Sequence, residues 1–221
     1  MGQNTSHAVM AQRHEADDSL DFFPTPPWAT RALFEHVIGS WNCHLGWDPA
    51  CGDGAMVKVF YEYFLAAAAS DVHDYGFEDT VIHDFLQPFT PDGIGCAEWI
   101  ISNPPFRLGE QFIRRALELA SHGVAMLVCT SFVESVGRYE RLFKESSPAI
   151  VAQYVERVPM VKGRLDRKAS TATSYCWLIW TNRAHDWEQP NWKPDGGTRF
   201  VWIPPCRAQL ERDSDYAEVA A

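Results

Sequence analysis

A chain of 221 residues, 46% of them hydrophobic, has enough apolar material for one domain with a full core. Its formal charge of −10 excludes a general basic footprint for nucleic acid, so any such contact has to be local. No apolar run approaches bilayer-spanning length and the N-terminus lacks a signal-peptide core, which predicts a soluble cytoplasmic protein and no membrane partner.

Residues 1–20 are polar and are expected to form a flexible tail. Residues 21–181 carry an alternation of strands and helices, and residues 182–221 are expected to form a packed extension with a loose acidic end. Asp21-Phe-Phe-Pro-Thr-Pro-Pro-Trp28 is kept extended by its prolines, and Pro26-Pro27 can begin a helix. Ala29, Leu33, Phe34, Val37 and Ile38 then recur with helical period up to Gly39. Leu45–Asp48 reads as a strand running into Pro49-Ala-Cys-Gly-Asp-Gly54, with a helix over Ala55–Leu65. Strand, glycine-rich turn and helix open a nucleotide-binding α/β unit, with backbone N–H groups exposed at the helix start. The glycines Gly52 and Gly54 let a ligand approach the backbone closely. Ala66–Ser70 predicts a second strand ending in Asp71. Asp71 follows Asp48 by 23 residues, close to the roughly 20-residue offset at which a second-strand acid meets a ribose hydroxyl. Thr80–Ile82 is a brief third strand ending in His83-Asp84-Phe85.

The fourth strand, around Trp99-Ile-Ile, runs into Asn103-Pro-Pro-Phe106. Two adjacent prolines fix φ and supply no N–H, so the chain leaves the sheet in a stiff turn. That turn offers one amide, two free carbonyls and an aromatic ring. Amide and carbonyl oxygens can accept from an amino group, and the ring can stack on a flat heterocycle. At the carboxyl end of a strand this is a holder for a planar amine. Gly109–Ala120 reads as an amphipathic helix, Gly123–Cys129 as a buried strand, and Arg138–Phe143 as part of a further helix. Strands follow at Ile150–Arg157 and Ser174–Thr181, with one more possible at Arg199–Ile203. This order predicts an α/β fold with a mostly parallel sheet covered by helices on both faces. The six cysteines (Cys43, Cys51, Cys96, Cys129, Cys176, Cys206) show no short paired spacing, so they read as free thiols without a disulfide framework or a metal site. The histidines His73, His83 and His122 read as surface or satisfied residues, and the nine tryptophans as packing. Against the acidic background, Arg157–Lys168 holds five bases and one acid. Lys162, Arg164, Arg167 and Lys168 in this loop are candidate phosphate contacts.

The pair Asp48-Pro-Ala-Cys-Gly-Asp-Gly54 and Asn103-Pro-Pro-Phe106, in this order, resembles the S-adenosylmethionine-dependent amino-group DNA methyltransferases. More narrowly it is similar to the small adenine-N6 enzymes of phages and prophages, over about Phe22 to Trp180. The resemblance implies a class I methyltransferase, Rossmann-like fold with a seven-stranded sheet whose last strand is antiparallel. It implies that Thr25, Pro26 and the turn Asp48, Pro49, Ala50, Cys51, Gly52, Asp53 and Gly54 hold the cofactor's methionine end. It further implies that Asp71 binds the ribose, that Asp84 and Phe85 contact the adenine, and that Asn103, Pro104, Pro105 and Phe106 form the catalytic motif. From the residues alone, Thr25 can equally cap a helix, Asp53 and Asp84 can shape turns, and Asp71 can be a solvated strand end. The expected reaction is methyl transfer to adenine N6 in DNA. RNA-base or protein-glutamine methylation, and a non-catalytic cofactor-binding module, are the alternatives. A separate target-recognition domain is missing from the pattern.

Overall fold

Trp99–Ser102 shows how one short strand serves two cores. Trp99 and Ile101 point into one apolar layer and Ile100 into the other, as the two-residue period of a strand requires. All four residues are buried, so the strand is central and has no polar face. In a computed structural model, the described residues are 21–39, 44–92, 94, 97–182, 191–192, 194 and 197–216.

The elements are α1 (Pro27–Leu33), continued by a π-helical turn to Ile38, β1 (Leu45–Asp48), α2 (Val57–Phe60), β2 (Ala66–Asp71), β3 (Thr80–Ile82) and β4 (Trp99–Ser102). Then follow α3 (Gly109–Leu119), β5 (Gly123–Cys129), α4 (Val136–Arg138), β6 (Ile150–Tyr154), β7 (Tyr175–Thr181), β8 (Arg199–Ile203) and α5 (Arg207–Leu210). They build one sheet in the order β3-β2-β1-β4-β5-β7-β6-β8. Only β7 runs against its neighbours, β5 and β6. The chain goes from β1 out to β3 at one edge and returns to β4 on the other side of β1. The switch point between β1 and β4 leaves a crevice at their carboxyl ends.

Three expectations need correction. The sheet has eight strands, not seven. β8 pairs in parallel with β6, and its Val201 and Ile203 join the apolar layer that holds Ile150, Ala152 and Tyr154. The helix expected over Ala55–Leu65 is regular only over Val57–Phe60. Beyond it the bonds tighten to three-residue spacing, as from Glu62 to Val59 and Tyr63 to Phe60. β-Branched and aromatic side chains dominate this stretch and favour a helix weakly. β6 ends at Tyr154 rather than at Arg157, as the chain turns towards Pro159.

The C-terminal segment is fastened from within. Arg31 of α1 is 5% exposed and makes paired hydrogen bonds to both Glu62 and Asp215, with a third partner in the Leu210 carbonyl. Arg212 grips Glu62 from the other side. Among the described residues no helix is long and apolar enough to cross a membrane, and Cys51, Cys129, Cys176 and Cys206 are free. Cys43, Cys96, the expected tail over residues 1–20 and residues 217–221 lie outside the described residues. Trp28, Trp47, Trp99, Trp177 and Trp180 are core, whereas Trp202 is 63% exposed. His83 is also buried, and its Nε2 lacks a partner among the described residues, so it is neither surface nor satisfied there.

Candidate active site

A cleft of about 460 Å³ opens at the switch point. Its walls are the segment Asp21–Thr25, the β1–α2 turn from Asp48 to Met56, the end of β2 with Asp71, Val72 and Tyr75, and the turn after β4 with Asn103, Pro105, Phe106, Arg107 and Leu108. Asp84 and Phe112 complete it. Most of the sequence-predicted residues therefore meet in one place, brought there by four separate stretches of chain.

The β1–α2 turn is cross-braced by its acids. Asp48 accepts from the Ser102 hydroxyl at 2.7 Å and from the Ala50 N–H at 3.1 Å. Asp71 accepts from the Gly52 N–H at 3.0 Å and the His73 N–H at 3.1 Å. The ends of β1, β2 and β4 are thus tied into one rim. Asp53 accepts from the Ala55 N–H, which shapes its own turn. Gly52 and Gly54 have φ of 54° and 76°, where a side chain is strained. The space beside them is not left open for a ligand. A Cβ on Gly52 would meet the Phe22 ring at 2.5 Å, and one on Gly54 the Phe77 ring at 2.5 Å. The glycines seat aromatic rings, and Gly54 does not line the cleft.

Asn103 is held in one orientation. Its Nδ2 donates to the Phe23 carbonyl at 3.0 Å and to Met160 Sδ at 3.5 Å. Both partners accept only, so the nitrogen faces them and Oδ1 faces away. That oxygen is buried and has no hydrogen-bond partner among the described residues. Of the two carbonyls expected to be free, the one on Pro105 accepts from the Leu108 N–H, whereas the one on Pro104 accepts nothing among the described residues. Phe106 is half-buried, with its ring 5.5 Å from that of Phe23.

Besides Gly54, three predicted residues of the cofactor and catalytic sets lie elsewhere. Pro26 and Pro104 are not on the cleft wall. The Phe85 ring is 1% exposed and packs on Trp47 and Phe112 in the core, leaving only Asp84 at the cleft. Asp84 itself accepts from the Leu86 N–H and the Gln87 side chain. Thr25 is buried on the cleft wall and donates to Met160 Sδ. The N-cap of α1 is Pro26, so Thr25 is not the cap. Lys162, Arg164, Arg167 and Lys168 are exposed on a loop outside the cleft. That loop is nevertheless hooked to it, through Met160 and through the Gly163 N–H, which donates to the Phe22 carbonyl. Sequence reasoning missed Asp21, Tyr75 and Met160. Nothing in the local pattern around Met160 marks it, because its partners are 57 and 135 residues away.

Burial raises the carboxyls of Asp48, Asp53 and Asp71, each against hydrogen bonds that pull it down. For Asp48 the result is about 7, with the charge of Asp71 adding to the rise. The folded protein therefore holds this proton more tightly than the unfolded chain does. The stabilisation is fully present below about pH 4 and is lost as pH rises through about 7. Thermal unfolding from about pH 5 to 8 should show this decline in the wild type and not in Asp48→Asn, whose amide oxygen still accepts from Ser102 and Ala50. Parallel curves would remove the buried carboxyl as the source.

No family model and no curated protein matches the chain. Its likeness is to solved structures. A Listeria monocytogenes protein proposed to be a class I S-adenosylmethionine-dependent methyltransferase superposes with a TM-score of 0.58 and 16% identity, over 86% of this chain and 68% of its own. A modification subunit proposed for a type I restriction enzyme of Vibrio vulnificus gives 0.55 and 13%, over 92% of this chain and 51% of that one. The chain spans about half the length of that subunit. At these identities the likeness concerns the fold: the chain has the class I methyltransferase fold, with β8 as an eighth strand.

Proposed function

We propose that this chain is an S-adenosylmethionine-dependent amino-group methyltransferase acting on N6 of adenine in DNA. The observation that carries the reading is the Asn103 amide. It sits at the carboxyl end of a central strand, has its nitrogen fixed by two acceptors, and keeps a buried oxygen without a partner. A buried acceptor left unpaired costs about 1–3 kcal/mol, which a substrate N–H would recover. The Phe106 ring beside it suits a flat base, which in a duplex has to be flipped out to reach the cleft.

The cofactor fits the chemistry of the cleft. S-Adenosylmethionine carries a sulfonium and an ammonium and has no phosphate. Five acids line the cleft (Asp21, Asp48, Asp53, Asp71 and Asp84), and even with the Asp48 carboxyl raised to about 7 they favour such a ligand and disfavour a nucleoside triphosphate. When bound, it supplies an activated methyl group. Asp71 would take a ribose hydroxyl on the lone pairs left by Gly52 and His73, and the Asp48–Asp53 turn with Thr25 would hold the methionine end. The exposed basic loop, and the likeness to a restriction-modification subunit, favour DNA as the substrate.

The test is transfer of labelled methyl groups to separate DNA, RNA and protein pools, followed by identification of the modified nucleoside. N6-Methyladenine in DNA is the expected product. Label confined to RNA or to protein glutamine would sink the DNA reading. Asp71→Ala should weaken cofactor binding by about 1.5–3 kcal/mol, the range for hydrogen bonds to a charged group. Unchanged affinity by calorimetry would take Asp71 out of the cofactor site.

A further inference from the structure

We infer that Asp21 accepts the proton released when the substrate amine is methylated, an assignment that rests on the amine-methyltransferase reading above. Pro104 and Pro105 have no N–H, so the first backbone donor after Asn103 is that of Phe106. Asp21 Oδ2 accepts from it at 2.7 Å. This contact brings a carboxylate from 85 residues away onto the turn that holds the amine. The other acids of the cleft are committed to different turns. Asp48, Asp53 and Asp71 brace the β1–α2 turn and the end of β2, and Asp84 closes the loop after β3. Asp21 alone among these carboxylates is bonded to the substrate turn, and its Oδ1 has no hydrogen-bond partner among the described residues.

The reaction creates the need for such a group. An amine nitrogen that takes a methyl group from a methyl sulfonium forms one new N–C bond and gains one positive charge. The sulfur keeps the electron pair of the broken S–C bond and leaves as a neutral thioether. One N–H proton then has to depart for the nitrogen to become neutral. Asn103 is an amide and does not take up a proton near neutrality, so it orients the amine without removing the proton. The Asp21 carboxylate takes the proton, becomes a carboxylic acid and returns it to water. The titratable and charged groups that share the cleft with Asp21 are Cys51, Tyr75, Arg107, Asp48, Asp53, Asp71 and Asp84. Tyr75 reports the proximity directly. Its hydroxyl is pushed up to about 12, first by burial and then by the charges of Asp71 and Asp21.

Asp21→Asn separates a proton acceptor from a positioning residue, because the amide oxygen still accepts from the Phe106 N–H. With DNA and labelled cofactor, kcat of this variant near pH 7 should fall on the order of 10²-fold, the scale of acid–base catalysis. Its rate should keep rising with pH where the wild type has levelled off. Calorimetric affinities for S-adenosylhomocysteine and for DNA should stay within about twofold, and Asp21→Glu should recover most of the rate. Equal kcat and an equal pH profile for Asp21→Asn and wild type would overturn the inference while leaving amine methylation standing. Abolished S-adenosylhomocysteine binding in Asp21→Asn would place Asp21 in the cofactor site instead and also overturn it. A wild type that methylates none of the DNA, RNA and protein pools overturns the reading beneath it.

Discussion

Methyl transfer by Asn103→Ala is expected to fall by about 10³-fold, the upper range for removing one preorganised polar contact at a reacting centre. Cofactor affinity should stay within about a factor of two, because the amide nitrogen faces Phe23 and Met160, its oxygen faces the amine in the proposed reading, and neither contacts the cofactor turns. Asn103→Asp is the sharper variant. It keeps an oxygen for the amine, but its second oxygen would face the Phe23 carbonyl at about the 3.0 Å now spanned by an N–H···O bond. Acceptor would meet acceptor, so the carboxylate has to turn away or take up a proton. Asn103→Asp should therefore fail to restore turnover near neutral pH. Single-turnover rates on DNA, with calorimetry for the cofactor, decide the matter. Near-normal turnover in Asn103→Ala would end the amine-holder reading.

The second large effect is expected from the basic loop. The chain carries −10 overall, so DNA is repelled except where positive charge is dense. Neutralising Lys162, Arg164, Arg167 and Lys168 together should weaken DNA binding roughly tenfold or more at moderate salt. It should also flatten the salt dependence by about 0.9 in the log–log slope for each phosphate that the variant no longer neutralises. The structure sets the number below what four independent cations would give. Arg164 lies 3.2 Å from Asp166, and Arg167 lies 2.6 Å from Asp213 and 3.4 Å from Glu211. Both arginines are exposed and such surface pairs are weak, so phosphate can displace them, but part of the gain is spent in doing so. A slope change equivalent to about two to three phosphates, about 1.8 to 2.7, is expected, with cofactor affinity unchanged. Identical slopes for wild type and variant would place the DNA elsewhere.

How much of this is legible in the sequence differs by element. β1, β3 and β5 can be read with their observed ends, because short apolar runs between turn residues leave little choice of boundary. The α2 helix is shorter than its pattern suggests, because its apolar spacing suits a helix while its valines and aromatics do not. Asn103 is legible from two prolines that stop a strand. The state of its amide is not, since Phe23 and Met160 reach it across 80 and 57 residues. Phe85 is placed at the cofactor only by the resemblance, yet neighbours in a strand-end loop point in different directions, and its ring goes to the core. Arg31 has the look of an ordinary surface cation of an amphipathic helix. Only the return of Asp215 from 184 residues away makes it internal.

By itself, then, the order of residues determined the strand–turn–helix alternation, the glycine turn after β1 and the proline stop after β4. These are local effects of φ restriction, hydrogen-bond loss and apolar period, and they act within a few residues. Tertiary structure alone decided that Asp21 meets Phe106, that Phe22 and Phe77 fill the space beside Gly52 and Gly54, and that β8 extends the sheet. It also decided that the Asn103 oxygen is buried without a partner. Each of these depends on which distant segments come into contact, and contact across tens of residues is set by how apolar faces stack, a quantity that no local window of sequence contains.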